Sequence, residues 1–255
     1  MGKHGSKGMT TEHRSPRFHV PGELFPGGEI RLPELVARHI AVLRLRQDQE
    51  ITLFNGRAGQ YQAVLSSLAR GQVSATVLQF DEVERDSPLH ITLAQCLSAG
   101  DRMDMTLQKA TELGVATITP LASERSIVRL SAERAERRLE HWRNVVIAAC
   151  EQCGRNRIPE VHPVTDLLPW LTQPPAGMCM LLDPEAGLGA SSLPAVVPEA
   201  VTLLVGPEGG LTPDERAFAK RSGFLPLRLG PRTLRTETAP LATLAVLQTA
   251  WGDFR

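Results

Sequence analysis

Two stretches of the sequence, 178–182 (Met-Cys-Met-Leu-Leu) and 201–205 (Val-Thr-Leu-Leu-Val), run apolar without alternation. A strand with one face in water alternates with a period of two. An unbroken apolar run therefore marks a strand buried on both faces, as in a parallel sheet covered by helices. The segments around these two fit that architecture, because from Leu89 onward strand and helix periods alternate. Strands are expected over 90–97, 115–121 and 224–229, and helices over 102–113, from Ser131 to about Cys153, and over 238–251. Gly114 sits where a glycine stops a helix. Thr212-Pro213-Asp214-Glu215 opens another helix, with an N-cap threonine, a proline at the first helical position and a glutamate completing a capping box.

The N-terminal region reads differently. A short strand over 17–20 precedes a helical period over 33–45, with Leu35, Val36, Ile40 and Leu43 apolar. Strand-like runs follow at 50–54, closed by the hairpin signal Asn55-Gly56, at 60–68, backed by Arg70-Gly71, and at 72–80. One helix among short antiparallel strands predicts a small β-barrel. The charged stretch 81–88, ending in Pro88, reads as a linker. The expected organisation is a disordered tail over 1–13, a barrel over 14–84 and an α/β domain over 88–255. The tail is polar and lacks the apolar core of a signal peptide. No apolar run approaches the ~18–20 residues of a membrane span. The expected compartment is the cytoplasm, with no membrane association.

Cys96, Cys150, Cys153 and Cys179 are too few for a disulfide scaffold. Cys150-Glu151-Gln152-Cys153 has the spacing of a redox or half-zinc motif, but no second ligand pair follows. His162, between Pro159 and Pro163, is the nearest spare ligand. The plainer reading is two small residues on one helix, and no metal is expected.

Chemistry gathers where the buried strands end. Residues 203–212 read Leu-Leu-Val-Gly-Pro-Glu-Gly-Gly-Leu-Thr, a buried strand running through a glycine-rich turn into a capped helix. Ligands of open α/β sheets bind at such carboxyl ends. Neither GxGxxG nor Gly-Lys-Ser/Thr is present, which argues against NAD, ATP and GTP. Pro207 has no amide to offer a phosphate, and Glu208 repels one. A cofactor with a positive centre fits better, and S-adenosylmethionine carries a sulfonium and an amino group. A second loop, 229–239 (Leu-Gly-Pro-Arg-Thr-Leu-Arg-Thr-Glu-Thr-Ala), also follows a strand and precedes the final helix. Arg235 and Glu237 offer it fixed donors and acceptors. On the bland reading, Thr236 or Thr238 caps the helix and one surface ion pair accompanies it. Two such loops after buried strands predict one shared pocket.

The formal net charge is zero, but net charge says little when charges are unevenly spread. Of the basic residues only Lys3, Lys7, Lys109 and Lys220 are lysine. The arginine excess suits phosphate contacts, and GC-rich coding would produce it equally.

GPEGG after an apolar strand, followed by LGxRxLRxETA, resembles the SPOUT class of methyltransferases. More narrowly, it resembles the bacterial family that methylates N3 of a uridine in small-subunit (16S) ribosomal RNA. Arg17-Phe18 is similar to that family's opening RFF, with His19 replacing the second aromatic. Gln108 through Val115 reproduces its QKATELGV block, and Ser123-Glu124-Arg125-Ser126 the short motif after it. Glu151-Gln152-Cys153-Gly154-Arg155 through Ile158-Pro159 is similar to EQSxR…IP, with Cys153 where serine is common.

The resemblance implies a PUA-like RNA-binding β-barrel followed by a SPOUT α/β-knot, a trefoil-knotted parallel sheet with helices on both faces. It implies a homodimer whose second subunit helps complete the site. The implied reaction is S-adenosylmethionine-dependent methylation of uridine 1498 of 16S ribosomal RNA at N3, in the assembled small subunit. Matching the motifs residue by residue assigns Leu182, Gly206, Pro207, Glu208, Gly209 and Gly210 to the cofactor. Leu229, Gly230, Leu234, Arg235 and Thr236 line its other side. Arg235 would stabilise the uridine anion, and Glu237 would orient it or relay a proton. Arg17, Arg102, Lys109, Arg125, Arg155 and Arg157 are the candidate RNA contacts. Phe18, Phe25 and Tyr61 are available for base stacking, although core packing is their plainer use. The competing readings are another SPOUT enzyme, acting on transfer RNA or a ribose 2′-hydroxyl, and a non-catalytic ribosomal-RNA-binding assembly factor.

Overall fold

The computed structural model describes residues 15–69, 72–126, 131–173 and 175–254. The expected tail over 1–13 and the Arg70-Gly71 turn lie outside the described residues. The chain divides into two compact units, Met1–Val83 and Glu84–Arg255.

The first unit contains β1 (Arg17–His19), β2 (Glu29–Arg31), α1 (Glu34–Val42), β3 (Glu50–Phe54), β4 (Gln60–Ala69) and β5 (Gln72–Asp81). Its strands are ordered β1-β3-β4-β5-β2, with β1 parallel to β3 and the other pairs antiparallel. Phe18, Ile51, Leu53, Leu65 and Val77 form its core, and α1 adds Val36 and Ile40. Leu35 and Leu43, counted in the apolar period of α1, are exposed, so its buried stripe is one residue wide. Phe18 is fully buried and Phe25 largely exposed. Asn55-Gly56 does begin the β3–β4 connection, but the loop runs over 55–59 and also uses Gly59 at positive φ. Strand β2 was not anticipated, since Glu29-Ile30-Arg31 is too short to show a period.

The second unit contains β6 (His90–Cys96), α2 (Gly100–Glu112), β7 (Thr117–Ala122), α3 (Ala132–Cys153), β8 (Glu160–Val161), β9 (Thr165–Asp166), α4 (Leu167–Leu171), β10 (Met178–Leu182), β11 (Ala200–Val205), α5 (Pro213–Arg221), β12 (Leu225–Leu227) and α6 (Thr238–Trp251). Its sheet is ordered β12-β10-β11-β6-β7-β8, with β9 also on β7, and every pair is parallel. The unbroken apolar runs have a direct cause. On one face Val201, Leu203, Val205, Ile91, Leu93 and Met180 pack beneath Met103 and Leu107 of α2, Trp142 of α3 and Leu244 and Leu247 of α6. On the other, Leu204, Ala94, Cys96, Cys179 and Leu181 pack against Leu167 and Leu171 of α4, Ala219 of α5 and Phe224. Among the described residues no helix is long and apolar enough to cross a membrane.

Gly114 takes φ +85° just past α2, and a Cβ there would stand 2.5 Å from Gln248 Nε2. That Gln248 amide donates to Leu113 O at 2.9 Å, so glycine is required both by conformation and by close approach. The capping box of α5 forms as the sequence implies. Thr212 Oγ1 accepts from the Glu215 amide at 3.2 Å, and Glu215 Oε2 accepts from the Thr212 amide at 2.8 Å. Thr212→Ala should cost about 1 kcal/mol, measurable as a lower urea midpoint at unchanged slope.

The stretch read as a linker is held firmly at its C-terminal half. Arg155 is 5% exposed. Its Nε donates to Asp86 Oδ1 at 2.7 Å, and its Nη1 donates to Thr111 O and Val115 O at 2.9 and 2.8 Å. This corrects the expectation that Arg155 contacts RNA. A guanidinium whose donors are spent on interior acceptors has nothing left for a phosphate.

Candidate active site

A cavity of about 610 Å³ opens beyond the carboxyl ends of β10, β11 and β12, lined there by Leu182, Val205 and Leu227. That volume suits a small-molecule ligand. Both glycine-rich loops line it: 206–211 after β11, and the segment between β12 and α6. Every expected cofactor residue lines the cavity except Gly230, which turns the chain at φ +69° without facing it.

One hydroxyl ties the loops together. Thr236 Oγ1 donates to Gly206 O at 2.7 Å and accepts from Gln95 Nε2 at 3.2 Å. Thr236 is therefore not the cap of α6, and neither is Thr238, which is the first helical residue. The N-cap position belongs to Glu237, whose side chain makes no capping bond. In the other loop Gly210 adopts φ +66° and donates its amide to Pro207 O at 2.8 Å. This closes the turn that presents Glu208.

Glu208 Oε1 accepts from the Ala99 amide at 2.9 Å and from Arg102 Nη1 at 3.0 Å. Burial raises the pKa of this carboxyl, but the Ala99 amide and Arg102 outweigh that and hold it below its ordinary value. Glu237 is 9% exposed, and its Oε1 lies 4.0 Å from Arg102 Nε. The second oxygens, Glu208 Oε2 and Glu237 Oε2, are buried without a hydrogen-bond partner. Arg102 thus stands between two carboxylates, each with one bare oxygen. Arg235 is exposed and has no ion pair among the described residues. The expected pairing of Glu237 with Arg235 is therefore replaced by a contact with Arg102.

The candidate RNA contacts separate accordingly. Arg102 and Arg125 line the cavity, and Arg125 Nη1 donates to Gly209 O at 3.1 Å. Lys109 pairs with Glu112 at 2.8 Å along α2. Arg157 is largely exposed, with Glu84 and Asp86 at 3.6 and 3.8 Å. Arg17, in the first unit, donates to Gln60 and lies 5.0 Å over the Phe54 ring.

Sequence reasoning missed the wall formed by Asp183, Glu185, Arg216, Arg228 and Arg232. Asp183 is 2% exposed, with Lys220 Nζ at 3.0 Å, Arg216 Nη1 at 3.4 Å and the Glu185 amide at 3.0 Å. Burial acts to raise its pKa, and these donors lower it by more. The signal was present, since Asp183 directly follows a buried strand whose carboxyl end is where ligands sit.

The cysteines take no part in the site. Burial pushes the Cys96 thiol up to about 12. Cys150 and Cys153 occupy the last turn of α3, with Cys150 Sγ 3.8 Å from Arg157 O. Among the described residues no group of three or more His, Cys, Asp or Glu is placed to hold a metal.

Residues 85–248 match the RNA methyltransferase domain family, and residues 34–78 the RNA methyltransferase PUA domain family. The chain is similar to ribosomal RNA small subunit methyltransferase E of Buchnera aphidicola subsp. Schizaphis graminum. The two are 34% identical over 242 residues, which cover 94% of this chain and 98% of that protein. Among solved structures it is similar to a putative methyltransferase of Legionella pneumophila in complex with the bound cofactor SAM. That match has TM-score 0.92 and 41% identity and covers 94% of this chain and 100% of the other. It is also similar to a ribosomal RNA small subunit methyltransferase E of Neisseria gonorrhoeae bound to S-adenosyl methionine, with TM-score 0.88, 42% identity and coverage of 95% and 100%.

Proposed function

The chain belongs to the RNA methyltransferase family, and from that premise we propose that it methylates N3 of a specific uridine in small-subunit ribosomal RNA, using S-adenosylmethionine. The observation that carries this reading is the single cavity built by both glycine-rich loops and joined through Thr236. Two solved relatives above 40% identity are described with this cofactor bound, which supports the choice of methyl donor.

The residues present fit such a group. Gly206 leaves room for close approach, since a Cβ there would stand 3.1 Å from the Leu211 amide. Leu182, Pro207, Glu208, Gly209, Gly210, Leu229, Leu234, Arg235 and Thr236 complete the cradle. When bound, S-adenosylmethionine supplies an electrophilic methyl group on a sulfonium. Uracil N3 carries a proton near neutral pH and attacks only once that proton is leaving. Glu237, with one bare oxygen, takes the proton, and Arg235, free of ion pairs, faces the anion that results. The cavity walls hold N3 in line with the methyl group, and alignment of this kind accounts for much of such an acceleration.

The first unit, of PUA-like fold, contributes Arg17 to RNA binding, beside Arg102, Lys109, Arg125 and Arg157 of the second. The trefoil knot is supported by one path in the chain. Strand β12 pairs β10 at the sheet edge, yet the segment after it returns past β10 to reach Gly206 and Gln95. A homodimer is supported by the apolar groove along α6 at Ala245, Val246 and Trp251. The cytoplasm, where ribosomes assemble, is the proposed compartment.

The deciding experiment incubates the full chain with labelled S-adenosylmethionine and undermethylated small ribosomal subunits, then maps the modified nucleotide. Label at N3 of one uridine is expected. Label on transfer RNA or on a ribose oxygen would overturn the substrate, and no label at all would leave an RNA-binding assembly factor. RNA affinity should also fall steeply with salt, as phosphate contacts require.

A further inference from the structure

The two bare carboxylate oxygens flanking Arg102 are the most pronounced unmet demand in the cavity. A buried acceptor without a donor is costly, because desolvation is incurred and no hydrogen bond offsets it. Proteins keep such groups where a ligand supplies the missing donor. Of the two, Glu208 is the more rigidly held: the Ala99 amide and Arg102 both fix its Oε1, leaving only Oε2. The other acidic groups lining the cavity are accounted for. Asp183 is paired with Lys220 and Arg216, and Glu185 is exposed and paired with Arg216 at 2.9 Å. Glu237 is assigned above to the substrate proton.

We propose that Glu208 receives the α-ammonium group of the methyl donor's methionyl end. The inference rests on the cofactor reading above and deepens it, by fixing which end of the cofactor lies at Arg102. Charge supports a cation here. Glu208, Glu237 and Arg102 together carry one net negative charge, which a single ammonium neutralises. The lowered pKa keeps Glu208 ionised at neutral pH. An ionised carboxylate binds a cationic donor roughly twice as strongly as a neutral one, which favours the ammonium over the adenine amine.

Three probes separate the alternatives, each measured by calorimetry on the full chain and on Glu208→Gln. S-adenosylmethionine has both the sulfonium and the ammonium. S-adenosylhomocysteine keeps the ammonium and lacks the sulfonium charge. Methylthioadenosine keeps the adenine and lacks the amino-acid end altogether. Glu208→Gln should weaken the first two equally, by about 10- to 100-fold, and leave methylthioadenosine within about 2-fold. Retained methylthioadenosine binding shows at the same time that the variant is folded. If only S-adenosylmethionine weakens, Glu208 reads the sulfonium, and the proposal is overturned. Weakening of all three alike, with unchanged thermal unfolding, would assign Glu208 to the adenine end and overturn it as well. Unchanged affinity for all three overturns it outright while leaving the cofactor reading intact. If the unaltered chain binds none of the three, that reading itself has failed.

Discussion

Glu237→Gln should slow single-turnover methyl transfer by about 100-fold or more, with the dissociation constant for S-adenosylmethionine and the melting temperature unchanged. The reasoning is geometric. Glu237 occupies the N-cap position of α6 without capping it, so the helix does not depend on its side chain. Its nearest charged neighbour is Arg102 Nε at 4.0 Å, too far for the tight pair whose loss would unfold the site. The amide keeps the shape and removes the basicity, leaving the N3 proton without an acceptor. Arg235→Ala is the companion variant and should also lower the rate, because the anion then forms without a facing cation. Wild-type turnover in both variants would remove both residues from the chemistry. A fall confined to affinity would make them binding groups instead.

The largest stability effect is expected far from the cavity. Arg155→Met should destabilise the protein by about 3–5 kcal/mol, because it leaves Asp86 buried and uncompensated. It also strips a donor from Thr111 O and Val115 O. Urea unfolding measures the loss. Adding Asp86→Leu should recover part of it, since replacing both charges by apolar groups is often close to neutral. The same variant tests the correction made to its role. If Arg155 is structural, the salt dependence of RNA affinity stays as it was. A slope of log affinity against log salt shallower by about 0.7–0.9 would restore Arg155 as a phosphate contact.

The contrast between Arg155 and Thr212 shows what a sequence can disclose. Thr212, Pro213 and Glu215 act within one helical turn, so the capping box is legible from the residues alone, and so is the glycine stop at Gly114. The buried strands are legible because burial on two faces leaves an unbroken apolar run. Strands β8 and β9, two residues each, are too short to show a period and form only because β7 offers its edge. Arg155 follows a glycine and precedes Asn156, a context that reads as surface. Its burial depends on Asp86 and Thr111, which the chain brings from 69 and 44 residues away.

Distance in sequence limits the site in the same way. That the two loops share a pocket follows from their position after buried strands. That Arg102 stands between Glu208 and Glu237 does not, because the first contact spans 106 residues. Arg102 therefore read as a surface cation for RNA, and Glu237 as the partner of its near neighbour Arg235. The resemblance to a family supplies which residues gather, and only coordinates supply which of them touch.

The buried Glu215 has a further role beyond its helix. Its Oε2 closes the capping box at Thr212, while its Oε1 takes the amide of Glu124 at 2.8 Å. Two cavity segments, the one that begins α5 and the one that carries Arg125, thus hang from a single hook. When a ligand tugs on the turn around Glu208, Arg125 must travel with it, so one glutamate makes a pair of separate walls behave as one jaw.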